Sequence, residues 1–223
     1  MEKVNVHSVL LRELLLKGKK HVFKKGMPIN ISNDGVYLTY IETGYVKRFQ
    51  ITSDGTESVQ AIFGSNEIFP LNTVLKSLFN FGINPHKSII NYEAITQVVI
   101  YSVTEEEFLN EAEKTPLIYK DLLYVAAMRL RSNINRLEST SMRVANRKVM
   151  HRLLFLCERF GKETNIGIKI ELPLTHQLLA DCLSLARETV TLSIDRLKEK
   201  GLIETEGKFI IVPDVEKMLK ELH

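Results

Sequence analysis

The sequence predicts an α+β chain in which a strand-rich N-terminal half is joined by one long helix to a smaller, mainly helical C-terminal unit. Three observations carry this. From His21 to Val103, short runs rich in Val, Ile, Tyr and Phe alternate with turn signals. Over residues 115–142 apolar side chains recur every seven positions. Beyond Val149 the apolar spacing becomes that of several short amphipathic helices. At 223 residues the chain has room for two ordinary domains, each with its own core.

Taken in order, Leu10, Leu11, Leu14, Leu15 and Leu16 fall near one face of a short N-terminal helix. Residues 35–40, 44–51, 58–63 and 94–103 read as strands, broken by Asn33-Asp34-Gly35 and Asp54-Gly55. That is a string of hairpins, hence a β-roll, barrel or sandwich. Thr104 and Glu107 have the spacing of a capping box, which opens a short helix to about Lys114. Thr115-Pro116 reads as the N-cap and first position of the long helix, where proline's missing N–H costs nothing. Leu123, Leu130, Leu137 and Val144 repeat at sevens, with Ala127, Ile134 and Ser141 on the intervening positions. This apolar seam either packs on the chain's own β-domain or meets a partner helix. A heptad period sustained this long favours the partner, and so a symmetric dimer. The expected domains are residues 1–114, 115–142 and 143–223.

Hydrophobic residues make up 44% of the chain and charged residues 26%, the balance of a globular rather than a disordered protein. The longest apolar runs, such as residues 153–157, are far short of the ~20 a membrane span needs, and no charged-then-apolar leader opens the chain. A cytoplasmic location is expected. Cys157 and Cys182 lack CxxC spacing and a histidine pattern, so they read as buried thiols rather than a disulfide or zinc site. The net charge of +3 permits nucleic-acid binding without arguing for it. There is no Gly-rich phosphate loop, HExxH, Gly-x-Ser-x-Gly or Cys/His/carboxylate cluster, so catalysis, metal and cofactor are not expected.

The C-terminal third carries the strongest motif. Val149, Leu153, Leu154, Leu156 and Cys157 mark an amphipathic helix ending near Phe160, with Gly161 as its C-cap. Residues 165–174 read as a loop and short strand. Thr175 caps the next helix, Leu178, Leu179 and Cys182 face inward, and small Ala180 permits a close crossing. Residues 184–186 form a turn. Val190, Ile194 and Leu197 make the buried stripe of a second helix over about 186–200, leaving Arg187, Glu188, Thr191 and Leu192 outward near its N-terminus as the expected base-reading residues. Residues 204–212 form a hairpin wing with Lys208 at its tip, and a last helix starts at Asp214. This is the pattern of a winged helix-turn-helix. An arginine at that end can donate two bonds to guanine and a glutamate can accept from cytosine. The alternative use of Arg187 and Glu188 is a surface ion pair.

The segment resembles the C-terminal domain of CRP/FNR-type bacterial regulators, whose recognition helix carries a run like Arg187-Glu188-Thr189-Val190. Arg143-Val144-Ala145, the run from Leu197 to Ile203, Phe23-Lys24-Lys25-Gly26, the run from Tyr40 to Gly44, Asp54-Gly55 and Glu67-Ile68-Phe69 are also similar to the family's order, so nearly the whole chain is covered. The resemblance implies a double-stranded β-roll of the cupin-like, cyclic-nucleotide-binding type, a dimerisation helix and a winged helix-turn-helix. It implies duplex DNA and RNA polymerase as partners, and phosphate contacts by Thr175, Gln177, Thr189 and Lys208. The chain departs from the pattern at three places. Leu192 stands where many members have a guanine-reading arginine, Ser184 where a turn glycine is common, and Ala186 where a serine is common.

The sensory motif departs further. Cyclic-nucleotide-binding members use a Gly-Glu pair for the ribose and an Arg followed by Ser or Thr for the phosphate. Here Pro70 and Leu71 take the first place, and Ser88-Ile89-Ile90, with His86 and Lys87 nearby, lies where the second belongs. Cyclic AMP is therefore not the expected effector. The region before the roll has no cysteine for an iron–sulfur cluster, and His7, His21 and His86 read as solvated residues rather than haem ligands. Tyr37, Tyr40, Phe69 and Tyr92, with the segment 75–88, either line a pocket for another small molecule or are core and cross-strand pairs. The rival to a regulator is a ligand-binding or protein-interaction module that has lost DNA binding. Intact Arg187, Glu188 and Thr189 count against it.

Overall fold

The computed structural model describes residues 9–30, 37–71 and 90–222. His7, Asn33, Asp34, Gly35, Ile89 and the whole segment 75–88, with His86, Lys87 and Ser88, lie outside them. Within the described residues the chain divides into two units, residues 9–50 with 61–131 and residues 51–60 with 132–222, the division falling inside the long helix.

In the first unit, helix α1 (Val9–Leu16) buries Leu11, Leu14 and Leu15. Asp121, far along the chain, accepts a bond from Leu11 N at 3.0 Å. Strands β1 (Lys19–Phe23), β2 (Tyr37–Thr43), β5 (Ile68–Phe69) and β7 (Val98–Thr104) form one sheet in the order β1-β7-β2-β5. A second sheet has the order β4-β3-β6, from β3 (Val46–Ile51), β4 (Glu57–Phe63) and β6 (Asn91–Ala94). Ile41, Phe69, Val98 and Ile100 of the first sheet pack with Val46, Phe63 and Ala94 of the second. That shared core is the interior of the roll.

The expected string of hairpins is corrected at one turn, since β3 and β4 are neighbours in one sheet but β2 and β3 are not. β2 and β3 are consecutive but belong to different sheets, with β2 paired to β7 and β5, and β3 to β6. Gly44 turns the chain between them at φ +96°, and a Cβ there would lie 2.3 Å from the Gln97 carbonyl. A corner that leaves one sheet for the other requires this close approach, and local turn signals do not distinguish it from a hairpin. The short strands β1, β5 and β6 were also not predicted as separate elements.

Helix α2 (Glu105–Lys114) has the capping box as expected: Thr104 accepts from Glu107 N, and the Glu107 carboxylate accepts from Thr104 N. Thr115 differs from expectation. It closes α2, donating its N–H to the Glu111 carbonyl, and its own carbonyl accepts from Ile118 in a tight turn leading into helix α3 (Ile118–Ser141). Thr115 thus closes one helix while its carbonyl and that of Pro116 accept the first bonds leading into the next, from Ile118 and Tyr119.

Helix α3 has two apolar faces. Ile118, Leu122 and Val125 are buried with Leu11, Leu38, Tyr40 and Phe108. The seam points away: Leu123, Leu130 and Leu137 are 70%, 62% and 62% exposed, and Ala127 and Ile134 are exposed beside them. Val144 is exposed too, but it lies beyond the end of α3, at the N-cap of the next helix, because the helix stops at Ser141 and residues 142–144 form a non-helical link.

In the second unit, helix α4 (Ala145–Phe160) buries Val149, Leu153, Leu156 and Cys157. Gly161 is its C-cap with φ −75°, not the left-handed cap that glycine suggests. Glycine is needed there for space, since a Cβ would meet the Cys157 carbonyl at 2.1 Å. The chain passes directly into the hairpin of β8 (Gly161–Thr164) and β9 (Gly167–Ile170), so the short strand expected within residues 165–174 is present as β9 and is preceded by a strand the sequence did not signal. Helices α5 (His176–Leu183) and α6 (Arg187–Glu199) follow, then β10 (Glu204–Glu206), β11 (Phe209–Val212) and α7 (Val215–Leu222). β11 pairs with β9, which joins the wing to the first hairpin in one sheet ordered β10-β11-β9-β8. No described helix is long and apolar enough to cross a membrane.

Candidate nucleic-acid interface

The interface is built on α5, α6 and the wing. Thr175 caps α5, its hydroxyl accepting from Leu178 N at 3.0 Å, as the sequence suggested. Leu178, Leu179, Ala180 and Cys182 are buried. Ser184 ends the helix in the left-handed region, φ 52° and ψ 49°, which explains why glycine is common in such a turn. Val190, Ile194 and Leu197 bury the inner stripe of α6 completely.

That stripe fixes which side of α6 faces out. Arg187 and Glu188 are exposed in its first turn, and Leu192 is 59% exposed one turn on. Among the described residues neither Arg187 nor Glu188 forms an ion pair, so the bland use of these two charges is not what the fold displays. Ala186 at the N-cap makes no side-chain bond, leaving the first-turn N–H groups of α6 open to an anion. An exposed guanidinium, an exposed carboxylate and an apolar side chain on one helix face match the donor, acceptor and methyl pattern of a major groove.

The other expected contacts are placed unequally. The Thr191 hydroxyl is engaged inside the domain, donating to the Arg187 carbonyl at 3.0 Å and lying 2.8 Å from His176 Nδ1. This link from α5 to α6 had no sequence signal, because the partners are fifteen residues apart on different helices. Gln177 is exposed, its amide donating to Asp181. Thr189 is half-buried, and its carbonyl accepts from Ser193. Lys208 is exposed at the wing tip, and its carbonyl accepts from Leu174 N, which anchors the wing to the approach of α5.

Behind the interface Arg152 is only 4% exposed, with its guanidinium 3.9 Å from Cys182 Sγ and its Nε without a hydrogen-bond partner among the described residues. Burial pushes the Cys157 thiol up to about 12, so it is a neutral core group, as its position in α4 implied. On α3 the Glu138 carboxylate lies 3.7 Å from His151 of α4, whose imidazole burial holds below the usual range.

The expected pocket aromatics do not come together as one set. Phe69 and Tyr92 have ring centroids 5.1 Å apart inside the roll, with Phe63 beside them. Tyr40 packs with α1, α2 and α3 on the other side of its sheet, its hydroxyl donating to Asn66 and accepting from Arg12. Tyr37 is half-buried at the start of β2. Alternation along a strand explains the split, since Tyr40 pairs with Ile68 and therefore opposes Phe69.

Residues 147–221 match the Crp-like helix-turn-helix domain. Over 89% of its length the chain is 28% identical to the CRP-like cAMP-activated global transcriptional regulator of Mycobacterium tuberculosis H37Rv, covering 83% of that protein. The C-terminal third is thus similar to the Crp-like helix-turn-helix domain, and the chain as a whole is similar to CRP/FNR-type regulators. It is a CRP/FNR-type transcription regulator with a helix-turn-helix domain. The global nitrogen regulator of Synechococcus elongatus PCC 7942 is 27% identical over 85% of this chain and 83% of its own. The fold of this CRP/FNR-type chain is shared with a mutant of CooA from Carboxydothermus hydrogenoformans, with TM-score 0.75, 17% identity and coverage of 95% and 90% of the two chains. It is shared also with FixK2 from Bradyrhizobium japonicum, with TM-score 0.72, 19% identity and coverage of 91% and 96%.

Proposed function

We propose that this CRP/FNR-type regulator acts as a cytoplasmic homodimer that binds a two-fold-symmetric duplex site and meets RNA polymerase there. In this reading residues 1–114 are sensory, 115–142 dimerise and 143–223 bind DNA. Arg187 and Glu188 read bases, Leu192 touches a thymine methyl, and Thr191 is held by His176 so that it steadies the first turn beside them. Thr175, Gln177, Thr189 and Lys208 face phosphate. The observation that carries the reading is the pair Arg187 and Glu188, exposed and outside any ion pair among the described residues, in the first turn of a helix whose opposite stripe is buried.

Dimerisation rests on the exposed seam of Leu123, Ala127, Leu130, Ile134 and Leu137, continued by Val144. A run of large apolar side chains in water is costly, at roughly 25 cal/mol per Å2, and a second copy of the same heptad is the occupant whose period matches it. Cyclic AMP is not the effector in this reading, although the mycobacterial relative is named as cAMP-activated. Leu71 is buried in an apolar cluster with Leu11 and Phe108, and a leucine cannot accept from a ribose hydroxyl.

Selection of binding sites from random duplex DNA by the purified protein tests both parts. A palindromic motif bound equally with and without cyclic AMP is expected. A tenfold or larger gain with cyclic AMP would remove the effector statement, and no enrichment under either condition would favour a protein-interaction module that has lost DNA binding.

A further inference from the structure

His176 of α5 is used by none of the contacts assigned to bases or phosphate, yet it borders them. Arg187 and Thr191 are one turn apart on α6, so they share the face that carries the recognition residues. The His176 ring is held against that face, with Nδ1 2.8 Å from the Thr191 hydroxyl oxygen. Its chain neighbours Thr175 and Gln177 are exposed, and the ring itself is half-buried. Nε2, two ring atoms from Nδ1, has no partner among the described residues and is not enclosed. One edge of the imidazole thus lies on α6 and the other is open at the rim of the interface.

Hydrogen-bond direction constrains this ring. Thr191 has one hydroxyl hydrogen and gives it to the Arg187 carbonyl at 3.0 Å, so toward His176 it can only accept. Nδ1 must then carry a hydrogen in either charge state. A neutral imidazole with that hydrogen has a lone pair on Nε2, which repels a phosphate oxygen. A charged one presents Nε2–H, from which a phosphate accepts. Histidine is also the side chain whose ordinary titration falls between pH 5 and 8. The charged groups on the elements around the ring are Arg187, Glu188 and Asp195 of α6, Lys208 of the wing, and Glu171 and Asp181 of its own segment. Arg152 of α4 meets α5 at Cys182, toward the other end of the helix. Among the described residues none of these forms an ion pair with the ring, so no protein carboxylate competes with DNA for its charged form.

We infer that His176 is a proton-dependent phosphate contact, which makes operator affinity fall as pH rises from 6 to 8. Charged, it donates from Nδ1 to Thr191 and from Nε2 to a phosphate beside Thr175 and Gln177. Neutral, it keeps only the first bond. An anion beside the ring favours the charged form, so DNA draws a proton onto it; the gain in affinity is present at low pH and is lost as pH rises. Two recognition helices make two such protons per dimer. Because both bonds belong to one ring, the phosphate contact is tied through Thr191 to the turn that carries Arg187. The dimeric DNA-binding reading is required for this role.

Anisotropy titration of the selected duplex with the full-length protein at pH 6, 7 and 8, each at three salt concentrations, tests the contact, with circular dichroism to establish the fold at each pH. Affinity is expected to fall about tenfold or more from pH 6 to 8, within the tenfold per pH unit that each proton taken up permits. The slope of log affinity against log salt should be steeper at pH 6 by about 2, one added phosphate contact per half-site. His176→Asn keeps an N–H near the Nδ1 position for Thr191 and cannot be protonated. It is expected to select the same motif and to hold the parent's pH 8 affinity and salt slope at all three pH values. A histidine that only braces Thr191 would leave the parent's salt slopes equal. Equal slopes in the parent, or a parental pH dependence in folded His176→Asn, would overturn the contact and leave the regulator standing; where that variant does not fold, the parent's slopes decide. A protein that selects no motif at any of the three pH values loses the regulator reading and the contact with it.

Discussion

Arg187 and Arg152 show how burial decides what an arginine does. Arg187 is exposed at the start of α6, where its five donors remain available to a guanine edge. Replacing it with alanine should remove about 1–3 kcal/mol of discrimination at one guanine in each half-site. Site selection with Arg187→Ala reads this directly: relaxation confined to one position is expected, and an unchanged preference would end its role in base reading. Arg152 is instead enclosed in the second unit, with Cys182 as its hydrogen-bond partner, and it acts on packing rather than on a ligand.

His151 sets a pH dependence at the same scale. Burial depresses its folded value, Glu138 opposes this and Arg152 adds to it. His21 is depressed as well, by burial and then by Lys19. A histidine with a lowered folded value is neutral in the native state, so its contribution is present above the unfolded value near 6.5 and is lost as pH falls through the folded value. Urea unfolding at pH 7.5 and 5.5 should therefore show a stability loss on acidification, smaller in His151→Gln. An equal loss in the variant would assign the acid sensitivity elsewhere.

At the scale of elements, α3 is the decisive one. One face, with Ile118, Leu122 and Val125, completes the core of the first unit, while the seam lies bare. A charge placed in the seam cannot disturb that core, because Leu130 is not part of it. Leu130→Asp should therefore leave the monomer folded and abolish both the dimer and operator binding. Sedimentation that finds a dimer in this variant would remove the seam from the interface.

For the whole molecule, a two-fold dimer presents two copies of α6, and duplex DNA accepts them only in successive major grooves about 34 Å apart. The selected motif should accordingly be two inverted half-sites one helical turn apart, and lengthening the centre by half a turn, about 5 base pairs, should abolish binding. Tolerance of that insertion would mean the two helices bind independently.

What the sequence determined by itself lies in short-range chemistry. The Thr104 and Glu107 box, the Thr175 cap, the inner stripe of Val190, Ile194 and Leu197, the outward Arg187 and Glu188 and the seam heptads are set by spacing along one element, and the helix period places them without reference to the rest of the chain. Tertiary structure decided what depends on distant partners. It sent β2 and β3 to different sheets, joined the wing to the β8–β9 hairpin, tied Thr191 to His176, made Thr115 a terminator and brought Arg129 over Phe63. Those outcomes turn on loop closure and on which groups meet when two surfaces are desolvated together, and neither leaves a period in the sequence to be read.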